Sequence, residues 1–138
     1  MSETQPEALL DTSFVVRYLT EDPPEMAAIA AEIIDSDQPL ILSEVILAES
    51  AYVLSSVYEI PRALVVDTLM SFIQRRNIRL LTLPKPLALE ALRLCRDSKR
   101  YSFADVLLWA EALHTGVSRI YTFDERFPST GVERLGVK

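Results

Sequence analysis

Four carboxylates carry the chemistry this chain could perform: Asp11, Glu49, Asp105 and Asp124. Asp11 closes the short apolar run Ala8-Leu9-Leu10, and Asp124 ends Thr122-Phe123-Asp124. Asp105 stands three residues after Ser102, in Ser102-Phe103-Ala104-Asp105. Glu49 has Val45, Ile46, Tyr52 and Val53 as its helical neighbours, so helical spacing predicts a carboxylate on a buried stripe. Burying a lone carboxylate costs several kcal/mol or forces it to stay protonated. Only Arg17 and Arg62 precede Arg75 as basic partners, which points to a metal ion instead. Four carboxylates gathered together repel one another, and a hard divalent cation, Mg²⁺ or Mn²⁺, resolves that conflict. His114 and Cys95 are the chain's single histidine and single cysteine, which argues against a structural zinc site or a Ser-His-Asp or Cys-His device.

Each acid also has a purely local reading. Asp11 suits the N-cap of a following helix, and Asp124 suits a turn. Ser102-x-x-Asp105 resembles a capping box, although Glu or Gln is the usual reciprocal residue. A salt bridge is the corresponding reading of Glu49.

Positioning these acids requires strands and helices in alternation. Short apolar runs predict strands at 8–10, 39–42, 78–83 and 119–122, with a further edge strand within 131–137. Helices are expected over 14–19, 24–35, 44–57, 61–75, 84–97 and 102–115. Pro24 and Pro61 suit helix openings, Ser43 and Ser102 suit caps, and Gly116 suits a stop. Met26, Ile29, Ala30, Ile33 and Ile34 follow the helical period. Such alternation implies an α/β fold with a parallel sheet covered on both faces. Ligands then bind outside the carboxyl ends of the strands, where Asp11 and Asp124 are expected.

The chain of 138 residues suits one domain over 1–138, with residues 1–7 expected to form a frayed tail. One cysteine cannot form an internal disulfide, no basic-then-apolar leader opens the sequence, and no apolar stretch is long enough to span a membrane. A soluble, cytoplasmic protein is the expectation.

The net charge of −6 at first opposes a nucleic-acid partner. Its distribution does not. Residues 1–69 hold 13 acids against Arg17 and Arg62, a net of −11, whereas residues 70–138 hold 12 bases against 7 acids, a net of +5. Arg75, Arg76, Arg79, Arg96, Lys99 and Arg100 are candidates to hold a phosphate backbone, with Lys85 and Arg93 beside them; a merely solvated surface is the alternative.

Taken together, Leu10-Asp11-Thr12-Ser13, Ala48-Glu49, Ser102-Phe103-Ala104-Asp105 and Thr122-Phe123-Asp124 resemble the four acidic motifs of PIN-domain nucleases, and in order and spacing those of VapC-type toxins. The resemblance runs from about Ala8 to Leu135. It implies a PIN-like three-layer α/β/α fold with a central parallel sheet of four to five short strands. It also implies that Asp11 and Asp105 are the principal metal ligands, with Glu49 and Asp124 completing the cluster. Thr122 supplies a hydroxyl near the site, and Ser13 stands where many members have Asn. Endoribonuclease activity, self-association as a dimer and a cognate antitoxin that blocks the site are further implications. The chemistry is metal-assisted hydrolysis of an RNA phosphodiester, with Asp124 or Glu49 orienting the water.

Three other readings compete. A phospho-accepting receiver domain also has an acidic Mg²⁺ pocket, and Lys85-Pro86 matches its Lys-Pro pair, but Asp11 lacks an adjacent acid and two helical stretches still follow Lys85. A non-catalytic PIN-like RNA- or protein-binding module would be expected to have lost an acid. A DNA-directed nuclease shares the phosphate chemistry. The apolar residues Phe14, Val15, Val16, Tyr18, Leu19, Tyr52, Leu54 and Tyr58 exceed the expected needs of one small core and suggest a covered surface.

Overall fold

The computed structural model describes residues 6–136, over which five short strands alternate with six helices. In chain order these are β1 (Ala8–Leu9), α1 (Thr12–Thr20), α2 (Pro24–Ile34), β2 (Leu40–Leu42), α3 (Glu44–Ser56), α4 (Arg62–Ile73), β3 (Ile78–Leu80), α5 (Lys85–Leu94), α6 (Phe103–Thr115), β4 (Arg119–Tyr121) and β5 (Glu133–Leu135). The frayed tail expected at 1–7 lies mostly outside the described residues. Its last member, Glu7, is held by Arg79 through two bonds, Nε to Oε2 at 2.5 Å and the second at 3.0 Å.

Local chemistry accounts for the helix ends. Ser43 accepts from the Val45 amide at 3.3 Å and opens α3, and Ser102 accepts from the Asp105 amide at 3.0 Å to open α6. Pro24 occupies the first turn of α2, where its missing N–H removes no helical bond. Gly116 takes a left-handed φ of 78° and terminates α6.

All pairings are parallel, but they divide the strands into two groups. β1, β2 and β3 pair in that order, with Leu9 opposite Ile41 and Ile41 opposite Arg79. β4 pairs with β5 alone. The fold is α/β, and its expected single sheet is therefore a three-stranded sheet plus a small one.

Leu10, Leu40, Leu42, Ile78 and Leu80 point into the core. On the alternate face Leu9 is 65% exposed and Arg79 is also exposed, so the cover expected on both faces is incomplete there. The helices pack in a connected body: α1 on α2 and α3, α3 on α4 and α6, α5 on α4 and α6. Burial of Val15, Val16 and Leu54 and partial burial of Phe14, Tyr18, Leu19 and Tyr58 account for most of the apolar surplus expected to need a partner. Tyr18 and Tyr58 also give their hydroxyls to Asp35 at 2.6 Å and Asp22 at 3.0 Å. On α2 the core face is Ala27, Ala30 and Ile34, while Met26 and Ile29 turn outward.

Glu44, only 5% exposed, fastens the sheet to the helices. Its Oε2 accepts from the amides of Thr82 at 3.0 Å and Leu83 at 2.9 Å, fixing the chain after β3 against the start of α3. Asn77 Nδ2 lies 3.0 to 3.1 Å from the carbonyls of Ile34, Ser36 and Gln38, joining the approach to β3 with the approach to β2.

Glu44→Ala strands two buried amides that are now bonded to a carboxylate and is expected to cost about 3 kcal/mol. Glu44→Gln, which keeps an acceptor, is expected to cost less. Urea denaturation monitored by circular dichroism measures both, and equal stability of Glu44→Ala and wild type would refute the clamp.

Candidate active site

Asp11 ends the chain's passage through the first strand. The Leu10 amide still donates to the Ile41 carbonyl at 2.9 Å, so Asp11 stands just past the carboxyl end of β1. It is also the N-cap of α1. Its Oδ2 accepts from the Ser13 amide at 3.1 Å and from the Ser13 hydroxyl at 2.7 Å. These bonds from the Ser13 hydroxyl, then its amide, hold the exposed carboxyl below its ordinary range and keep it anionic.

Asp105 and Asp124 come together from different elements. Asp105 lies in the first turn of α6 and is half-buried. Burial pushes its carboxyl up, the Ser102 hydroxyl draws it down, and the charge and hydrogen bonding of Asp124 push it up again. Asp124 sits past β4 in a tight turn, its Oδ1 accepting from the Arg126 amide at 2.8 Å and its own amide donating to the Thr122 hydroxyl at 3.0 Å. Thr122 thus orients the backbone of Asp124. Trp109, one turn after Asp105 on α6, donates from Nε1 to the Thr130 carbonyl at 2.8 Å, and Arg134 donates to the carbonyls of Glu125 and Phe127. Both fasten the segment that follows Asp124.

Glu49 departs from its expected surroundings. It is exposed, as are its neighbours Val45 at 72% and Tyr52 at 64%, while Ile46 and Val53 pack partly against the core. The core face of α3 is Leu47, Ser50, Ala51 and Leu54. Among the described residues no group of three or more His, Cys, Asp and Glu side chains is close enough to hold a metal. The structure thus sets Asp105 within electrostatic reach of Asp124, Asp11 at a strand end, and Glu49 on the exposed side of α3.

The expected basic strip is divided. Arg75 pairs with Asp35 at 2.8 Å and lies over the Tyr18 ring; Arg79 pairs with Glu7; Arg96 pairs with Asp67 at 2.8 Å and with Asp97 at 3.0 Å. Arg75 and Arg76 precede β3, at the amino edge of the parallel strands and opposite to Asp11. Lys99 and Arg100 are exposed in the loop that leads into α6 and Asp105. Lys85, which a receiver-like pocket would have needed, donates its Nζ to the Arg75 carbonyl at 2.9 Å.

Three features had no clear signal in the sequence. Arg62, Trp109 and Arg134 act on backbone carbonyls, which no side-chain motif encodes. Glu44 is buried while the neighbouring candidate Glu49 is not. Tyr121 and Phe123, the latter 93% exposed, flank Thr122 and present bare rings next to Asp124.

Residues 8–133 match the PIN-domain family, and the chain belongs to it. PIN domains are commonly nucleases, and PIN nucleases usually use divalent metal ions. No curated protein matches the chain. The donors fit such an ion: they are carboxylate oxygens, and the charge of Asp124 acts on Asp105.

The raised carboxyl of Asp105 has a stability consequence. Without metal, its contribution is full below the unfolded carboxylate pKa of ~3.9 and is lost as pH rises through the higher folded value. Asp105→Asn is therefore expected to raise the melting temperature in EDTA at neutral pH, with no gain at a pH below ~3.9. A thermal scan at both pH values measures this, and destabilisation at neutral pH would contradict it.

Proposed function

We propose that the chain is a Mg²⁺- or Mn²⁺-dependent endoribonuclease, a single nuclease domain acting in the cytoplasm as the VapC-type toxin of a toxin–antitoxin pair. The observation that carries this reading is the approach of Asp105 and Asp124, two carboxylates from separate elements, in a chain of a family that is commonly nucleolytic. Asp11 and Asp105 would hold the ion, Asp124 would complete the set, and the exposed Glu49 would act through water. When bound, the ion supplies Lewis acidity toward water and toward the phosphodiester oxygens.

The chain's own residues do the rest. Ser13 keeps Asp11 ionised and fixes its orientation. Thr122 fixes the turn that presents Asp124, which would orient the attacking water. Lys99 and Arg100 stand ready for the backbone phosphates, and the exposed rings of Tyr121 and Phe123 offer stacking surfaces for unpaired bases. The outward apolar residues Met26 and Ile29 on α2 and Val45 and Tyr52 on α3 are surfaces for a cognate antitoxin or a second copy of the chain. No helix among the described residues is long and apolar enough to cross a membrane.

One observation favours a second reading, a PIN-like binding module without catalysis: the described residues gather no group of three acids. Purified protein incubated with RNA in Mg²⁺ or Mn²⁺, and in EDTA, separates the two. Cleavage is expected only with metal and is expected to fall by about a hundredfold or more in Asp11→Asn or Asp105→Asn, since several kcal/mol of charge stabilisation are lost. Metal-independent retention of RNA with no cleavage would favour the binding module. In the same assay Lys99→Glu with Arg100→Glu is expected to weaken RNA binding and reduce its salt slope by roughly 0.7 per lost phosphate contact. Arg75→Glu, whose charge already serves Asp35, is expected to leave that slope unchanged.

A further inference from the structure

Arg62, in the first turn of α4, does not use its charge on any described carboxylate. Its Nε donates to the Cys95 carbonyl at 2.6 Å, and its NH2 group donates to the Tyr101 carbonyl. The same guanidinium lies 4.5 Å from the centre of the Phe103 ring. One planar group thus holds both ends of the loop 96–101 and stacks on the first residue of α6. Ser102, which caps α6 through the Asp105 amide, sits between the Tyr101 carbonyl and Phe103. The buried Cys95 thiol adds two weak contacts from the same side, 3.7 Å to the carbonyls of Tyr101 and Ser102. All of these contacts converge on the turn that carries Asp105.

We infer that Arg62 is a positioning residue for Asp105: its fork fixes the entry into α6 and so sets where the Asp105 carboxylate stands against Asp124. The geometry is independent of any activity, whereas its importance for cleavage rests on the nuclease reading above. The planar fork is what spans two carbonyls, and a lysine ammonium in its place can reach only one of them with comparable alignment. Loosening the entry lets the Asp105 carboxylate relax away from Asp124, because the like charges already favour separation. The arrangement also fixes the loop that carries Lys99 and Arg100, but their long side chains retain their own freedom. RNA affinity is therefore expected to depend on Arg62 less than the chemical step does.

The test compares the unsubstituted chain with Arg62→Met and Arg62→Lys. Amide hydrogen exchange in EDTA reads the α6 entry directly, titration with Mn²⁺ alone reads the carboxylate site, and steady-state RNA cleavage separates kcat from KM. In Arg62→Met, exchange at residues 102–106 is expected to accelerate by about tenfold or more, with α3 and the three-stranded sheet unchanged. Mn²⁺ affinity is expected to weaken, and kcat to fall by about tenfold or more, with KM for RNA altered far less. Arg62→Lys is expected to recover part of each effect, and it decides the matter if Arg62→Met does not fold. Acceleration spread evenly over the whole protein, or wild-type exchange and Mn²⁺ affinity in a folded variant, would overturn the inference. Full recovery in Arg62→Lys would overturn it too, by assigning the effect to charge and not to the fork. If the wild type cleaves no RNA while exchange and Mn²⁺ affinity shift as expected, the nuclease reading fails and the positioning role stands.

Discussion

Two carboxylates brought together repel, and much of this fold can be understood as the apparatus that holds Asp105 against Asp124. The Ser102 cap fixes the turn of α6 on which Asp105 rides. Trp109 reaches from the same helix to the Thr130 carbonyl, so the helix that carries one acid also anchors the chain segment that follows the other. Arg134 closes that segment from β5, and Arg62 closes the opposite flank. None of these groups touches both acids. Each removes a direction in which the pair could separate, and the unfavourable charge pairing is sustained by packing and backbone hydrogen bonds around it.

The local and functional readings of the acids turn out to be compatible. Asp11 caps α1, and Asp124 forms a turn with Arg126. A carboxylate that accepts from backbone or hydroxyl donors is ordered and stays ionised, which is what a cation ligand requires. For Asp11 the cap is thus the means by which the site is organised. At Asp105 the backbone amide donates to the Ser102 hydroxyl, and the carboxyl feels both that hydroxyl and the charge of Asp124.

Sequence pattern located all eleven elements, because their ends are set by local chemistry: Pro24 in the first turn of α2, Ser43 and Ser102 as caps, Gly116 as a stop. Three features depended on tertiary packing and were not legible. The first was the buried acid of α3. That helix is apolar almost all round, so its period could not show which stripe faces inward, and the small Ser50 and Ala51 rather than the larger Val45 and Tyr52 meet the core. The second was the sheet, whose strands of two or three residues give no signal for which neighbours pair. The third was the basic strip: counting charges along the chain cannot see that Asp35, Glu7 and Asp67 lie near enough to engage Arg75, Arg79 and Arg96. The family resemblance was legible from the four short motifs because their order survives any uncertainty about packing, and it agrees with the family match across residues 8–133.

The loop between α5 and α6 has a further property that follows from how it is tied. Arg62 grips carbonyl oxygens, which every residue type provides, and asks nothing of the side chains between Cys95 and Tyr101. Inside the loop Asp97 pairs with Arg96 and the Ser98 hydroxyl accepts from the Arg100 amide at 3.0 Å, whereas the exposed Lys99 side chain projects from the loop between them. In evolutionary terms the loop separates two kinds of selection. Its backbone path rests on Arg62 and on the Asp97 and Ser98 contacts, so a change confined to the exposed Lys99 would alter what the loop touches without disturbing where Asp105 stands.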